Sequence, residues 1–281
     1  MQRNMDQTPP ARPFSRGIAW LLQSLSLLRL QAGRLLLIAV IMQLILGLTQ
    51  VPLIGFLVVI SVPGLSAGIL EAFDVTGRGG HPGPNLLFRP LMSGVHAGRL
   101  FLMGALVFAV GVLSISLVLS GSEGLLDPDL MSRIEQGDVD AIAQLDQETI
   151  SKMVLAFLVG IAISGTLSYF TIPLIWFHDR KLGAALREGI RALVINWKPF
   201  LILALGLFVI LVPVVVVSGF LFSLAGGSGL LSVIVMGGIM ILLLAFQMLL
   251  FGTQYCSFKD VFGIGDPAAP PLPDDDDQLV A

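Results

Sequence analysis

Apolar residues run along this chain in six long blocks, separated by short polar, glycine- or proline-bearing breaks. The first block spans roughly Leu35 to Thr49, and Gln50, Pro52 and Gly55 mark a tight turn after it. The second runs on to about Glu71 with Pro63 and Gly64 inside it. The remaining blocks cover about Arg99–Leu119, Met153–Trp176, Phe200–Phe220 and Leu231–Gly252. Roughly 20 apolar helical residues cross a hydrocarbon core of about 30 Å, so the blocks read as membrane spans. Backbone polar groups find no water in that core, which favours helices and excludes an open sheet.

The blocks recur as pairs. Each pair opens on a basic residue, at Arg34, Arg99 and Lys198, and closes on an aspartate near an aromatic, at Asp74, Asp179 and Asp260. Amphipathic stretches precede the pairs. Phe14, Ile18, Leu21, Leu22, Leu25 and Leu28 share one helical face within Phe14–Gln31, and Leu182, Leu186, Ile190, Leu193 and Trp197 do so within Leu182–Trp197. Asn85–Gly98 is a weaker copy, broken by Pro90. Such helices are expected to lie in the headgroup region with their apolar faces down. The predicted architecture is therefore all-α, with six transmembrane helices in three hairpins, each preceded by an interfacial helix, in pseudo-threefold packing.

Charge then orients this frame. Only 12% of residues are charged and 55% are hydrophobic, against about 25% charged in a soluble domain; mean hydropathy is +0.90. Arg78, Arg89, Arg180, Lys181, Arg187 and Arg191 lie in the even-to-odd connections, and the N-terminal arm is basic. The odd-to-even connections hold only Arg133 and Lys152. Positive loops stay cytoplasmic, so both termini are expected inside and the acidic segment 121–150 outside. Residues 1–13 and 264–281, the latter with the Asp274–Asp277 run, read as disordered, flanking a membrane domain over 14–263. The first helix is expected to remain as a signal anchor, because no Ala-x-Ala cleavage site follows it. The single cysteine, Cys256, excludes an intramolecular disulfide, and no basic, aromatic-rich patch points to nucleic acid.

Three sets of residues carry candidate chemistry. Asp74, Asp179 and Asp260 sit at helix C-termini, where the dipole disfavours an anion, and Arg34, Arg99 and Lys198 share their membrane face. They read either as clasps that tie repeats to neighbours or to lipid headgroups, or as ordinary interfacial charge worth about 0–1 kcal/mol per exposed pair. Glu71, the deepest acid, is expected to snorkel or to pair with Arg78. Arg16, Arg29, Arg187 and Arg191 form a modest surface for anionic lipid. Ser164, Ser168 and Gln247 suggest either a polar path or interhelical hydrogen bonds of about 0.6 kcal/mol each, and Gly160-x-x-x-Ser164 favours packing. His81, His96 and His178 are too scattered for a metal site. No P-loop, Gly-x-Ser-x-Gly or convergent catalytic set is visible, and no cofactor is implied.

The layout Arg34…Pro52…Phe73-Asp74, Phe177-His178-Asp179 and Phe258-Lys259-Asp260-Val261-Phe262 resembles uncharacterised bacterial six-span inner-membrane proteins. In such proteins the last helix ends in an aromatic-(Lys/Arg)-Asp-(Val/Ile/Leu)-Phe signature. The resemblance implies a bacterial inner-membrane location and carries over no activity. The functional expectation is a non-catalytic, membrane-organising or accessory protein that contacts membrane lipids and a protein partner or a second copy. The alternative is a small-solute transporter or permease.

Overall fold

The computed structural model describes residues 9–119, 132–133, 147–224 and 229–263. Most of the acidic segment, the Gly226-Gly227-Ser228 turn residues and the Asp-rich tail lie outside them. All regular structure among the described residues is helical. The long helices are α1 (Ser15–Leu30), α2 (Ala32–Gly47), α3 (Pro52–Gly77), α5 (Gly94–Leu119), α6 (Gln147–Ser168), α8 (Leu182–Ile195), α9 (Trp197–Leu224) and α10 (Leu230–Phe262). Two short ones are α4 (Arg89–Met92) and α7 (Thr171–His178). Six candidate spans are long and apolar enough to cross a membrane: Ala32–Gln50, Leu53–Gly77, Gly94–Ser114, Ile150–His178, Trp197–Ser223 and Ser232–Phe262. They mark the chain as a multi-pass membrane protein.

The sequence pattern misplaces some boundaries for identifiable reasons. In place of one interfacial helix over Asn85–Gly98 there is a 3-10 turn at Pro84–Leu87, the single turn α4, and an extended Ser93 before α5 starts. Pro84 and Pro90 each begin a new turn, because proline fits the start of a helix and not its interior. The fourth span also breaks, between Ser168 and Thr171. Pro173 has no N–H, so the Tyr169 carbonyl four residues earlier loses its helical donor. Gln254 of α10 supplies the substitute, its Nε2 donating to that carbonyl at 2.6 Å. A buried acceptor without its partner costs about 1–3 kcal/mol. Gln254→Leu is therefore expected to destabilise the protein by about 1–2 kcal/mol in a detergent unfolding titration, whereas Gln43→Leu, which removes one of the exchangeable membrane amides, should cost about 0.6 kcal/mol.

Packing is concentrated at one end of the molecule. The fully buried side chains are Trp20, Leu35, Ile38, Leu65, Leu70, Phe73, Phe170, Tyr255, Phe258 and their neighbours. They come from the first turns of α2, α5 and α9 and the last turns of α3 and α10, together with α1, α7 and α8. Aromatic rings interlock there: Trp20 on Phe200 at 5.3 Å, Phe170 on Phe262 at 5.3 Å and Phe177 on Phe258 at 5.8 Å between centroids. The far halves of the spans are open. Leu53, Phe157, Val209 and Val233 are exposed, as are most of their apolar neighbours. In lipid such faces carry no hydrophobic penalty, and helix association depends on close packing and polar contacts.

α1 lies across the first turns of α9 and the last turns of α10. Small residues permit the approach: a Cβ on Gly17 would overlap the Pro199 carbonyl oxygen, and one on Gly252 would overlap Ser24 Oγ. At 100° per residue the buried Gly17, Trp20, Leu21 and Ser24 form one face of α1. Phe14, Ile18 and Leu22 form a second, exposed face, and Gln23 and Ser26 a third. Leu21, expected to point into lipid with the apolar stripe, instead faces protein.

Candidate functional site

The three helix-ending aspartates are all paired, but mostly not with the cations that open the odd spans. Asp260, with a side chain only 11% exposed, receives the most donors. Arg16 Nε and Trp20 Nε1 donate to its Oδ2 at 2.8 and 2.9 Å, Arg16 Nη2 meets Oδ1 at 2.7 Å, and Arg12 Nη2 lies 3.3 Å from Oδ1. Arg12 Nη2 also donates to the Asp260 backbone carbonyl. The hydrogen bond to Asp260 raises the pKa of the Arg16 guanidinium, against a smaller opposing effect of burial. A cation at the end of α10 is also favoured by the helix dipole. Arg12 is anchored further by its backbone N–H, which donates to the side-chain oxygen of buried Asn196 at 2.8 Å.

Asp179 is the one aspartate that meets the opening cation of a span. Arg99 Nη1 donates to its Oδ1 at 2.6 Å and to its backbone carbonyl at 3.0 Å, and His96 Nε2 lies 3.2 Å away. Asp179 adopts a left-handed backbone (φ 51°), a conformation that asparagine and aspartate tolerate better than most side chains, and it ends α7. Asp74 pairs with Arg78 at 2.9 Å, one turn on, and accepts the Tyr255 hydroxyl at 3.0 Å. Glu71 pairs with Arg89 of α4 and not with Arg78. Neither Arg34 nor Lys198 reaches an aspartate among the described residues. Arg34 is exposed, and Lys198 Nζ stands over the Phe14 and Trp197 rings at 5.6 and 6.0 Å. Proximity along the membrane face did not decide these partners: α1 reaches Asp260 before Lys198 can, and Arg78 lies one helical turn from Asp74.

The other candidates fall apart in space. Ser168 Oγ donates to the Ser164 carbonyl of its own helix, and Thr166 Oγ1 does the same to Ala162 at 2.7 Å. Gln247 accepts from Gln43 Nε2 at 3.0 Å, between α10 and α2. A Cβ on Gly160 meets nothing within 4 Å, so the close approaches lie at Gly17, Gly104 and Gly252 instead. Arg187 and Arg191 are exposed on α8. Among the described residues, no three His, Cys, Asp or Glu side chains gather as metal ligands would.

A cavity of about 430 Å³ opens beside the Asp260 cluster. Arg16, Gln23 and Leu27 of α1 form one wall, and Tyr255, Lys259 and Asp260 of α10 the other. Sequence reasoning missed it. The one available signal was Lys259 inside the aromatic-Lys-Asp ending, which with Asp260 makes the only charged pair of residues on α10. No protein-family model, curated protein or solved structure matches this chain.

Proposed function

We propose that this multi-pass membrane protein acts without catalysis, organising the membrane or assisting a partner through contacts with anionic lipid at one end of its helix bundle. The observation that carries this reading is an imbalance of charge. The aspartates at that end are paired, while Arg29, Arg34, Arg187, Arg191 and Lys198 are exposed and meet no carboxylate among the described residues. Each cation near an anionic surface contributes about 1 kcal/mol. The exposed Phe14, Ile18 and Leu22 stripe of α1 supplies the matching apolar contact.

The reading includes a bacterial cytoplasmic membrane with both termini inside, supported by the basic even-to-odd connections. Fusions should give high alkaline phosphatase activity at Gly137 and bright cytosolic fluorescence at the C-terminus. A silent phosphatase at Gly137 would reverse the orientation. For the lipid contact, extraction in polymer-bounded nanodiscs followed by lipid mass spectrometry is expected to show anionic lipid enriched around the protein. Replacing these five cations by glutamine should bring that enrichment down toward the bulk composition. Equal lipid profiles for both forms would refute the reading, and a co-purifying protein or second copy would name the partner.

A further inference from the structure

We infer that the cavity between α1 and α10 is a binding site for an organic phosphate, held by Lys259 and Arg16. Arg16, Gln23 and Leu27 lie on the side of α1 opposite its exposed stripe of Phe14, Ile18 and Leu22, at 100° per residue. If that stripe meets acyl chains, the cavity opens toward water. The remaining wall is the last two turns of α10, beyond the apolar middle of that span.

Charge comes next. Arg12 and Arg16 meet one carboxylate, Asp260, and Lys259 lines the same cavity, which leaves two positive charges over. The neighbouring Asp74 is matched by Arg78. Two helices, α3 and α10, end here, and each end carries a partial charge of about −0.5, too little to cancel that surplus. Lys259 is exposed, and no carboxylate pairs with it among the described residues. It offers three N–H donors as a point charge, the usual lysine contribution to phosphate binding. The Gln23 carboxamide is exposed on the facing wall. Arg16 holds Asp260 through Nε and Nη2, so its Nη1 donors stay available.

Size and lining set the rest of the ligand. A bare phosphate fills a small part of about 430 Å³. Leu27, Gly77, Cys256 and the Tyr255 ring give the floor an apolar character suited to a short carbon skeleton. Glycerol phosphate chemistry meets both demands, and it has two sources: the headgroup of an anionic phospholipid or a soluble phosphate ester.

The full-length protein in phosphatidylcholine nanodiscs separates them. One arm titrates glycerol 3-phosphate by calorimetry. The other counts phosphatidylglycerol molecules retained in native mass spectrometry after it is added to the discs. Saturable binding of one molecule is expected in one of the two arms. Lys259→Gln should weaken it about tenfold, as loss of one charged hydrogen bond does, and Gln23→Glu, which adds a negative charge to the opposite wall, should weaken it as well. Lys181→Gln, exposed just before α8 and not lining the cavity, should leave it within twofold. No saturable binding in either arm, or equal weakening by Lys181→Gln, would overturn the assignment. The second of those results would leave the diffuse lipid contact standing, so the two proposals fail separately.

Discussion

Asp260→Ala is expected to undock α1 while leaving the rest of the bundle folded. The substitution removes the carboxylate from Arg12, Arg16 and Trp20 at once, leaving the Arg12 guanidinium only the backbone carbonyl of residue 260. Breaking a fully buried ion pair by removing one partner costs about 3–5 kcal/mol. Arg12 and Arg16 keep 32% and 36% of their side-chain exposure, so water and headgroups recover part of that loss. The expected destabilisation is about 2 kcal/mol. Its location is the sharper test. Amide exchange over Ser15–Leu30 should rise by an order of magnitude or more, with α5 unchanged, because α1 meets the bundle mainly along α9 and α10, with lesser contact to α2 and α3. The apolar stripe keeps the helix at the interface after release. Arg16→Ala should reproduce much of the effect, and the double variant should fall short of the sum, with a coupling of about 1–2 kcal/mol. Additive losses would mean that the carboxylate and the guanidinium act separately, and unchanged exchange would mean that the Gly17 and Gly252 contacts hold α1 alone.

The frame of this protein was legible because the bilayer makes it so. Length and apolarity alone reveal a span, and the six expected blocks coincide with six long apolar spans, the fourth of them broken and the sixth extending well past Gly252 to Phe262. The recurrent aromatic beside each aspartate also carried meaning beyond charge: Phe73 and Phe258 are fully buried, and Phe177 stacks on Phe258. Pairing was a different matter. Which cation meets Asp260 depends on where α1 docks, and α1 docks by a Gly17–Ser24 face whose small residues leave almost no trace in a hydrophobic pattern. Periodicity marked the oily side of α1 and was silent on the side that binds protein. Gln254 was visible as a polar residue in a span, but its task, replacing the donor that Pro173 removes, appears only when α10 is beside the broken fourth span. Arg89 likewise reaches Glu71 only because Pro84 and Pro90 fold the connection back against α3.

Gly104→Ala is expected to cost about 3 kcal/mol, the top of the range for overpacking, and Gly111→Ala in the same helix nothing. A Cβ on Gly104 would overlap the Ile60 carbonyl oxygen and stand 2.7 Å from its carbon and 2.8 Å from its Cα. All three atoms are backbone, so no rotamer change relieves the clash. α3 and α5 must separate by more than an ångström, and the contacts along their shared seam loosen together. In water the hydrophobic effect would press the helices back; between lipid tails it offers no such force, and close packing supplies much of the association. Gly111 has nothing within 4 Å of its built Cβ, so alanine there only removes the glycine penalty, a gain of up to about 1 kcal/mol. The two variants share helix, chemistry and added volume, and differ in what the new methyl meets. Unfolding titrations from mild detergent into dodecyl sulfate should therefore separate them by about 3–4 kcal/mol. Equal stability of the pair would show that α3 and α5 do not touch backbone to backbone. The rings that lean on that seam, Phe56 against Phe108 at 5.5 Å, would then be packing two helices held together by side chains alone.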